Sequence, residues 1–366
     1  MRVGHRLFRT RGDRRAPATG TPSSRRTVTS TTSPPTAGRR SDGASPRAAL
    51  SPRRRAKVRD RGASRLFRWA ATGAGALILL VLAAVAVFLV LRAWPAMTTP
   101  AAELTEKISW LHGADSLIEF VGPLVFGTVL AAALALVLAT PVALGIALFI
   151  SHYAPRRLAS GLGYLVDLLA AIPSVVYGLW GALVLAPLVQ PVWGWLNTYL
   201  GWIPLFGGEV SPTARVILTV GLVLAVMLLP IITAVTREVF LQTPRLHEEA
   251  ALALGATRWE MIRTAVLPFA RSGIVSAAML GLGRALGETM AVLMILSPGF
   301  LYSFQLLAAG KQQTIAANIA AQFPEANPLG VSTLIATGLA LFVITLLVNM
   351  AARAIVARRK DFSGAN

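Results

Sequence analysis

Six stretches of this 366-residue chain are long and apolar enough to cross a membrane, and that pattern limits the fold more than any other feature. A span needs about 20 mostly apolar residues. The windows lie near 69–91, 122–150, 161–189, 213–235, 272–296 and 330–356. Only helices and closed barrels satisfy every backbone group in lipid. The sequence therefore predicts an all-α integral membrane bundle. The loops alternate in charge. Arg156 and Arg157 follow the second window; Arg237, Arg245, Arg258, Arg263 and Arg271 follow the fourth; Arg358, Arg359 and Lys360 follow the sixth. The other three loops hold almost no basic charge: Lys107 in the first, none in the second, Lys311 in the third. Basic segments stay on the cytoplasmic side. Six spans then place both termini in the cytoplasm.

Charge is segregated as well as sparse. Only 14% of residues are charged, yet the formal net charge is +19. An average soluble domain carries about 25% charged residues. Residues 1–68 hold most of the excess, with Asp13, Asp42 and Asp60 as their only acids. One soluble domain is excluded. Residues 1–65 are rich in Arg, Ser, Thr, Pro and Gly, too poor in aliphatics to offset chain entropy, and read as a disordered basic cytoplasmic tail. The run Arg53-Arg54-Arg55 suits nucleic acid or acidic lipid, but a tail that orients the first helix is the simpler reading. Residues 66–360 form the membrane domain and 361–366 a short cytoplasmic end. The first apolar stretch starts too late for a signal peptide. The absence of Cys excludes disulfides, thiolate metal sites and thiol nucleophiles.

The loop at 237–271 carries full helix punctuation. Thr243 can cap a helix whose first residue is Pro244, and Gly255 sits where it should stop. Glu248 and Glu249 lie on the favourable side of its dipole. Thr257-Arg258-Trp259-Glu260 reads as a capping box for a second helix, which Pro268 should break or kink. The pair, with Ala250, Ala251 and Ala253 on one side, makes either a docking knob or an ordinary hairpin over the bundle base. On the opposite side, Trp193, Trp195, Tyr199 and Trp202 suit an interfacial belt.

Small residues recur inside the spans: Ala131-Ala132-Ala133, Gly281, Gly283 and Gly287. They permit close helix contact. Most spans lack charge, but the fifth contains Arg284 and Glu288. Arg284 lies about 18 Å beyond Ser272 at 1.5 Å per residue, near the midplane. A charge there costs about 2.5–3.5 kcal/mol on insertion scales and should face a partner or a wet cavity. Glu288 is one turn on, so the two can pair. A guanidinium matches a tetrahedral oxyanion through parallel hydrogen bonds. Asp167 reads as a cap near Arg156 and Arg157 more than as a pathway group. Arg215 reads as snorkelling to headgroups more than as meeting substrate.

Glu249-Ala250-Ala251, then Gly255, then Leu267-Pro268 resembles the EAA signature of permease subunits in bacterial ABC importers. Ala265 stands where that signature has Ile. The resemblance implies a six-helix permease bundle in which residues 244–268 insert into a groove of an ATPase subunit. Glu249 through Arg271, followed by the stretch from Gly281 to Val292, is similar to the PstC permeases of phosphate-specific transporters. So are Ile172-Pro173-Ser174-Val175-Val176-Tyr177-Gly178-Leu179-Trp180-Gly181 and Thr314-Ile315-Ala316-Ala317-Asn318-Ile319-Ala320. The likeness covers about residues 69–360. It implies inorganic phosphate import across the cytoplasmic membrane, with Arg284 and Glu288 on the substrate pathway. It also implies a second permease resembling PstA, an ATPase dimer resembling PstB and an extracytoplasmic binding protein resembling PstS.

Missing features narrow the chemistry. There is no Walker A run: Gly310-Lys311-Gln312 lacks the spacing and the Ser/Thr. The chain is therefore expected not to be an enzyme and to hold no cofactor, with ATP and magnesium on the partner ATPase. His5, His112, His152 and His247 are scattered, so no metal site is expected. Membrane lipid is an expected partner and nucleic acid is not. Two rival readings remain: an importer of sulfate, molybdate or phosphonate, and a membrane-tethered regulator using its basic tail.

Overall fold

In the computed structural model, residues 61–111 and 116–357 are described. Residues 1–60 of the expected tail and the end at 361–366 lie outside them. The first helix, α1 (Arg61–Thr98), starts inside the stretch 1–65 that composition marked as unstructured. The unit beginning at Gly62 is almost entirely helical. Among the described residues six helices are long and apolar enough to cross a membrane: Leu66–Thr98, Leu117–Tyr153, Ser174–Leu200, Ile217–Leu241, Arg258–Leu286 and Pro328–Ala354.

The core is built where small residues let backbones meet. Helix α3 (Leu117–Leu148) starts at Ser116, whose hydroxyl accepts from the Glu119 amide, 3.1 Å. It buries Ala131, Ala132, Ala135, Ala139 and Ala143 at helical spacing against α7 (Ile217–Leu241). That face of α7 offers Val220, Val223, Leu224, Met227 and Leu228. Lipid gives apolar side chains no drive to associate, so close van der Waals contact has to hold the pair. Ala133 faces outward instead. Helix α10 (Leu267–Leu286) packs on both α7 and α3, and a Cβ on Gly281 would lie 3.0 Å from Ile232. Gly283 has nothing within 4 Å and serves no such contact.

Three elements depart from the sequence expectation. The third window, 161–189, is two helices. Amphipathic α4 (Arg156–Ala170) ends before Pro173, and the span itself begins with α5 (Ser174–Trp180). It continues through a π turn, Gly181–Leu185, into α6 (Ala186–Leu200). Proline has no N–H to give and excludes the helical conformation at Ile172, so the chain must turn there. Asp167 consequently lies on α4, exposed and outside the span. The fifth window, 272–296, is shifted: its helix runs from Arg258 to Leu286 and a separate short helix, α11 (Met290–Ile295), follows. Pro268 does not break it, because the preceding π turn, Ile262–Val266, absorbs the misfit. Finally, Trp193 turns inward and donates to Thr219 Oγ1, 3.0 Å, leaving Trp195, Tyr199 and Trp202 exposed as the belt.

The last long helix is α13 (Pro328–Ala357). Before it, α12 (Ile315–Gln322) is capped by Thr314, whose hydroxyl accepts from the Ala317 amide, 3.4 Å. Its first amide donates to Thr128 Oγ1 of α3, 3.0 Å.

Candidate functional site

Two places carry the predicted residues. The first is the hairpin formed by α8 (Arg245–Ala253) and α9 (Arg258–Met261). The capping box forms as expected: Thr257 accepts from the Glu260 amide and Glu260 accepts from the Thr257 amide, 2.8 Å. The other predicted cap does not form. Pro244 occupies the cap position, and the Thr243 hydroxyl is buried without a partner. Gly255 closes α8 at φ +88°, a conformation that a side chain would oppose. Its amide donates to Leu252 O and the Ala256 amide to Ala251 O, so the last carbonyls of α8 are satisfied.

One side of this hairpin is anchored. Ala251 packs on a buried cluster of Ala147, Phe240, Met261, Ile262, Val266 and Ala270. The other side is bare. Leu254 is 90% exposed and Leu246 75%. Glu249 and Ala250 are exposed with them, while Leu267 and Pro268 lie where α10 leaves the hairpin. A rigid knob with apolar tips has the form of an interaction site.

The second place is the end of α10. Gly281 meets Leu228 and Ile232 at the middle of the 25-residue α7. Arg284 is three residues on, about 4.5 Å along the axis, so it sits near mid-height. Arg284 is thus level with the middle of α7, but the expected pairing is not found. Helix α10 stops at Leu286, and Glu288 falls in the break before α11. Glu288 is therefore not one helical turn from Arg284. Its side chain is 8% exposed, and Oε1 accepts from the Ala291 amide, 3.3 Å. Among the described residues the ion pairs are Lys107 with Glu103 and His152 with Glu248. Arg284 is exposed.

Tyr177 was in a noted segment but had no assigned role. It lies on α5, and its hydroxyl donates to Leu169 O, 3.0 Å. Glycines bring α5 against α11: a Cβ on Gly178 would lie 2.7 Å from Ala291 Cα, and one on Gly181 would lie 2.7 Å from Ile295 Cδ1. The segment 172–181 thus packs directly on α11. Asn318 on α12 is fully buried, and neither of its amide atoms has a partner.

Arg215 is bound within the protein, contrary to the snorkelling expectation. Its Nε donates to Ile295 O, 3.2 Å, and Nη2 to Met294 O, 3.1 Å. These are carbonyls at the C-terminal end of α11. The Ser297 amide returns to Arg215 O, 3.1 Å. Ala214 beside it is buried at φ +51°. The partners lie about 80 positions away, so no local sequence signal could reveal them. Among the described residues no group of three or more His, Cys, Asp or Glu could hold a metal.

The family model described as "Binding-protein-dependent transport system inner membrane component" matches residues 139–361. The chain is 49% identical over 303 residues to "Phosphate transport system permease protein PstC 2" of Mycobacterium tuberculosis, covering 81% of this chain and 92% of that one. It is 49% identical over 275 residues to "Phosphate transport system permease protein PstC" of Mycobacterium leprae, covering 74% and 86%. Among solved structures, a chain of a bacterial ABC transporter for the acidic polysaccharide alginate aligns with TM-score 0.47 and 16% identity, covering 80% of this chain and 99% of that one.

Proposed function

Because the chain belongs to the inner membrane components of binding-protein-dependent transport systems, and among them to the PstC permeases, we propose that it carries inorganic phosphate past Arg284 as one permease of an ABC importer. The observation that carries this reading is the exposed guanidinium near mid-height, outside ion-pair range of Glu288. A cation so placed is costly unless it meets an anion or water. Its planar fork of N–H donors fits two oxygens of a tetrahedral oxyanion at once.

The mechanism follows from the two sites. A second permease resembling PstA packs beside this one, and the pathway lies between them. A binding protein resembling PstS delivers phosphate from outside the cell. The hairpin at 244–268 seats in a groove of an ATPase resembling PstB, on the cytoplasmic side with both termini. ATP-driven closure of the ATPase pair pushes the hairpins and rocks the bundles. Arg284 contacts phosphate transiently, and the nearby Glu288 carboxyl keeps residence short. Transport needs binding weak enough for release.

Uptake of radiolabelled phosphate tests the reading, in cells lacking this gene and cells with it restored, with unlabelled sulfate and molybdate as competitors. Loss, recovery and no competition support phosphate import. Competition by either oxyanion would transfer the assignment to that substrate. Unchanged uptake in cells without a second phosphate system would refute it. Removal of residues 1–65 should leave uptake intact, whereas a regulator acting through its tail would lose its activity.

A further inference from the structure

Helix α4 meets α5 at Pro173, and one side chain bridges that corner. In an unbroken helix the Leu169 carbonyl would accept from the amide of residue 173. Residue 173 is proline and has no N–H to give. The carbonyl is left with the Ile172 amide, at 3.3 Å. The Tyr177 hydroxyl fills the vacant place, donating to the same oxygen at 3.0 Å. Tyr177 therefore reaches back over the break and fixes the first turns of α5 to the last turn of α4.

Both ends of this bridge are held. Gly163 sets the backbone of α4 against the Arg237 guanidinium of α7. Tyr177 is buried, and its ring belongs to the main apolar core. The next residue, Gly178, brings α5 onto the backbone of α11 at Ala291, and Gly181 repeats the approach one turn on at Ile295. At these two glycines no α5 side chain separates the helices. A shift of α5 is then passed to α11 with little to absorb it, because close-packed interiors transmit strain. The Ala291 amide in turn donates to Glu288 Oε1, 3.3 Å. A continuous line of contacts thus leads from the Leu169 carbonyl to the Glu288 carboxyl.

We propose that Tyr177 is a positioning residue for transport: its hydroxyl fixes α5 against α4 and, through Gly178 and Ala291, the place of the Glu288 carboxyl beside the proposed phosphate pathway. Tyr177 needs no contact with substrate for this role. The inference rests on the reading of Arg284 and Glu288 as pathway residues. Without the hydroxyl, α5 and α11 settle differently, and the carboxyl leaves the position from which it shortens phosphate residence. Phosphate is then held longer, as it would be if the carboxyl lost its charge.

The test is a double-mutant cycle on phosphate uptake, in cells without a second phosphate system. It compares Tyr177→Phe, Glu288→Gln and the two together. Tyr177→Phe removes one oxygen and leaves the ring in the core, so the complex should assemble in normal yield. It should lower KM and kcat together by about two- to tenfold, the scale of one neutral hydrogen bond. A merely structural loss would lower the amount of transporter and leave KM where it was. The double variant should do no more than Glu288→Gln alone, because the hydroxyl acts through the carboxyl; such coupling is the evidence that a chain of contacts requires. Hydrogen exchange at the Ala291 amide should quicken in Tyr177→Phe. Unchanged KM and kcat in Tyr177→Phe, or effects that add fully in the double variant, overturn the proposal. Failure of Tyr177→Phe to assemble would make the hydroxyl a folding contact and overturn it too. Unaltered kinetics in Glu288→Gln would overturn the pathway reading of Glu288 and the proposal with it, whereas altered kinetics there with none in Tyr177→Phe would overturn the proposal alone.

Discussion

Gly178 is a sensitive point of the proposed substrate site although it carries no chemistry. A Cβ built there lies 2.7 Å from Ala291 Cα and 3.2 Å from Met294 Sδ. The nearer atom is backbone, so no rotamer change relieves it. Ordinary carbon–carbon contact needs about 3.5–4.0 Å. Gly178→Ala must therefore drive α5 and α11 apart by about 1 Å. The amide of Ala291 is the donor to Glu288, so the displacement falls on the turn that carries that carboxylate. Overpacking of this kind costs about 1–3 kcal/mol. In a positioned site, a shift of about 1 Å can lower a rate about a hundredfold. Gly145→Ala in α3 is the matched control, because nothing lies within 4 Å of its added Cβ. Replacing a mid-helix glycine by alanine should stabilise by about 0.5–1 kcal/mol. The assay is phosphate uptake beside thermal unfolding of the purified complex. Gly178→Ala should lower uptake at least tenfold, a conservative bound on that hundredfold scale, while the complex still assembles. Gly145→Ala should leave uptake unchanged. Equal uptake by both variants would refute the packing argument.

Three further outcomes follow. Arg284→Ala should abolish uptake without lowering complex yield, because an exposed side chain contributes little packing; normal uptake would remove Arg284 from the pathway. Ala135→Leu should destabilise the complex by about 1–3 kcal/mol, seen as an earlier thermal transition, because Ala135 is fully buried between α3 and α7. Arg215→Ala should cost about 1–3 kcal/mol by leaving the Met294 and Ile295 carbonyls without their donor. In that variant, proteolysis or hydrogen exchange should report a loosened α11, whereas unchanged protection would show that lipid or water replaces the clamp.

The spans were legible because apolar length and loop charge are properties of composition. Six windows were expected, and six helices of spanning length are found among the described residues. The hairpin was legible because caps are local: the Thr257–Glu260 box and the Gly255 stop need only neighbours four or five residues away. Elsewhere, local rules competed with hydropathy. Ile172-Pro173 is apolar, so the window ran through it, yet proline forces the turn that detaches α4. Gly287-Glu288-Thr289 sits between apolar runs, so a continuous helix was expected, and the break changed which charges could meet. Thr243 shows a limit of local signals too. It has the right residue type before Pro244, but its hydroxyl is buried away from the α8 amides. Arg215 shows the opposite limit, since its partners arrive only with the tertiary fold.

The break at Gly287 also separates two roles that a continuous helix would merge. Breaking a helix inside a bilayer exposes amides and carbonyls, which must find partners in protein or water. Glu288 supplies one: its Oε1 takes the Ala291 amide, among the first four of α11 and without a helical partner. The carboxyl is thus held by the backbone and not paired with Arg284, whose guanidinium the proposed pathway assigns to the oxyanion. Capping and charge can be tested apart. Glu288→Gln keeps an acceptor oxygen for Ala291 but removes the charge, whereas Glu288→Ala removes both. If the carboxyl limits phosphate residence, the glutamine variant should lower KM and kcat together, because Arg284 then holds its ligand longer. The alanine variant should also loosen α11 and lose about 1–2 kcal/mol of stability, the scale of a missing cap. Identical kinetics for the glutamine variant and the unaltered protein would confine Glu288 to its capping role and leave Arg284 as the pathway's sole charged contact at this height.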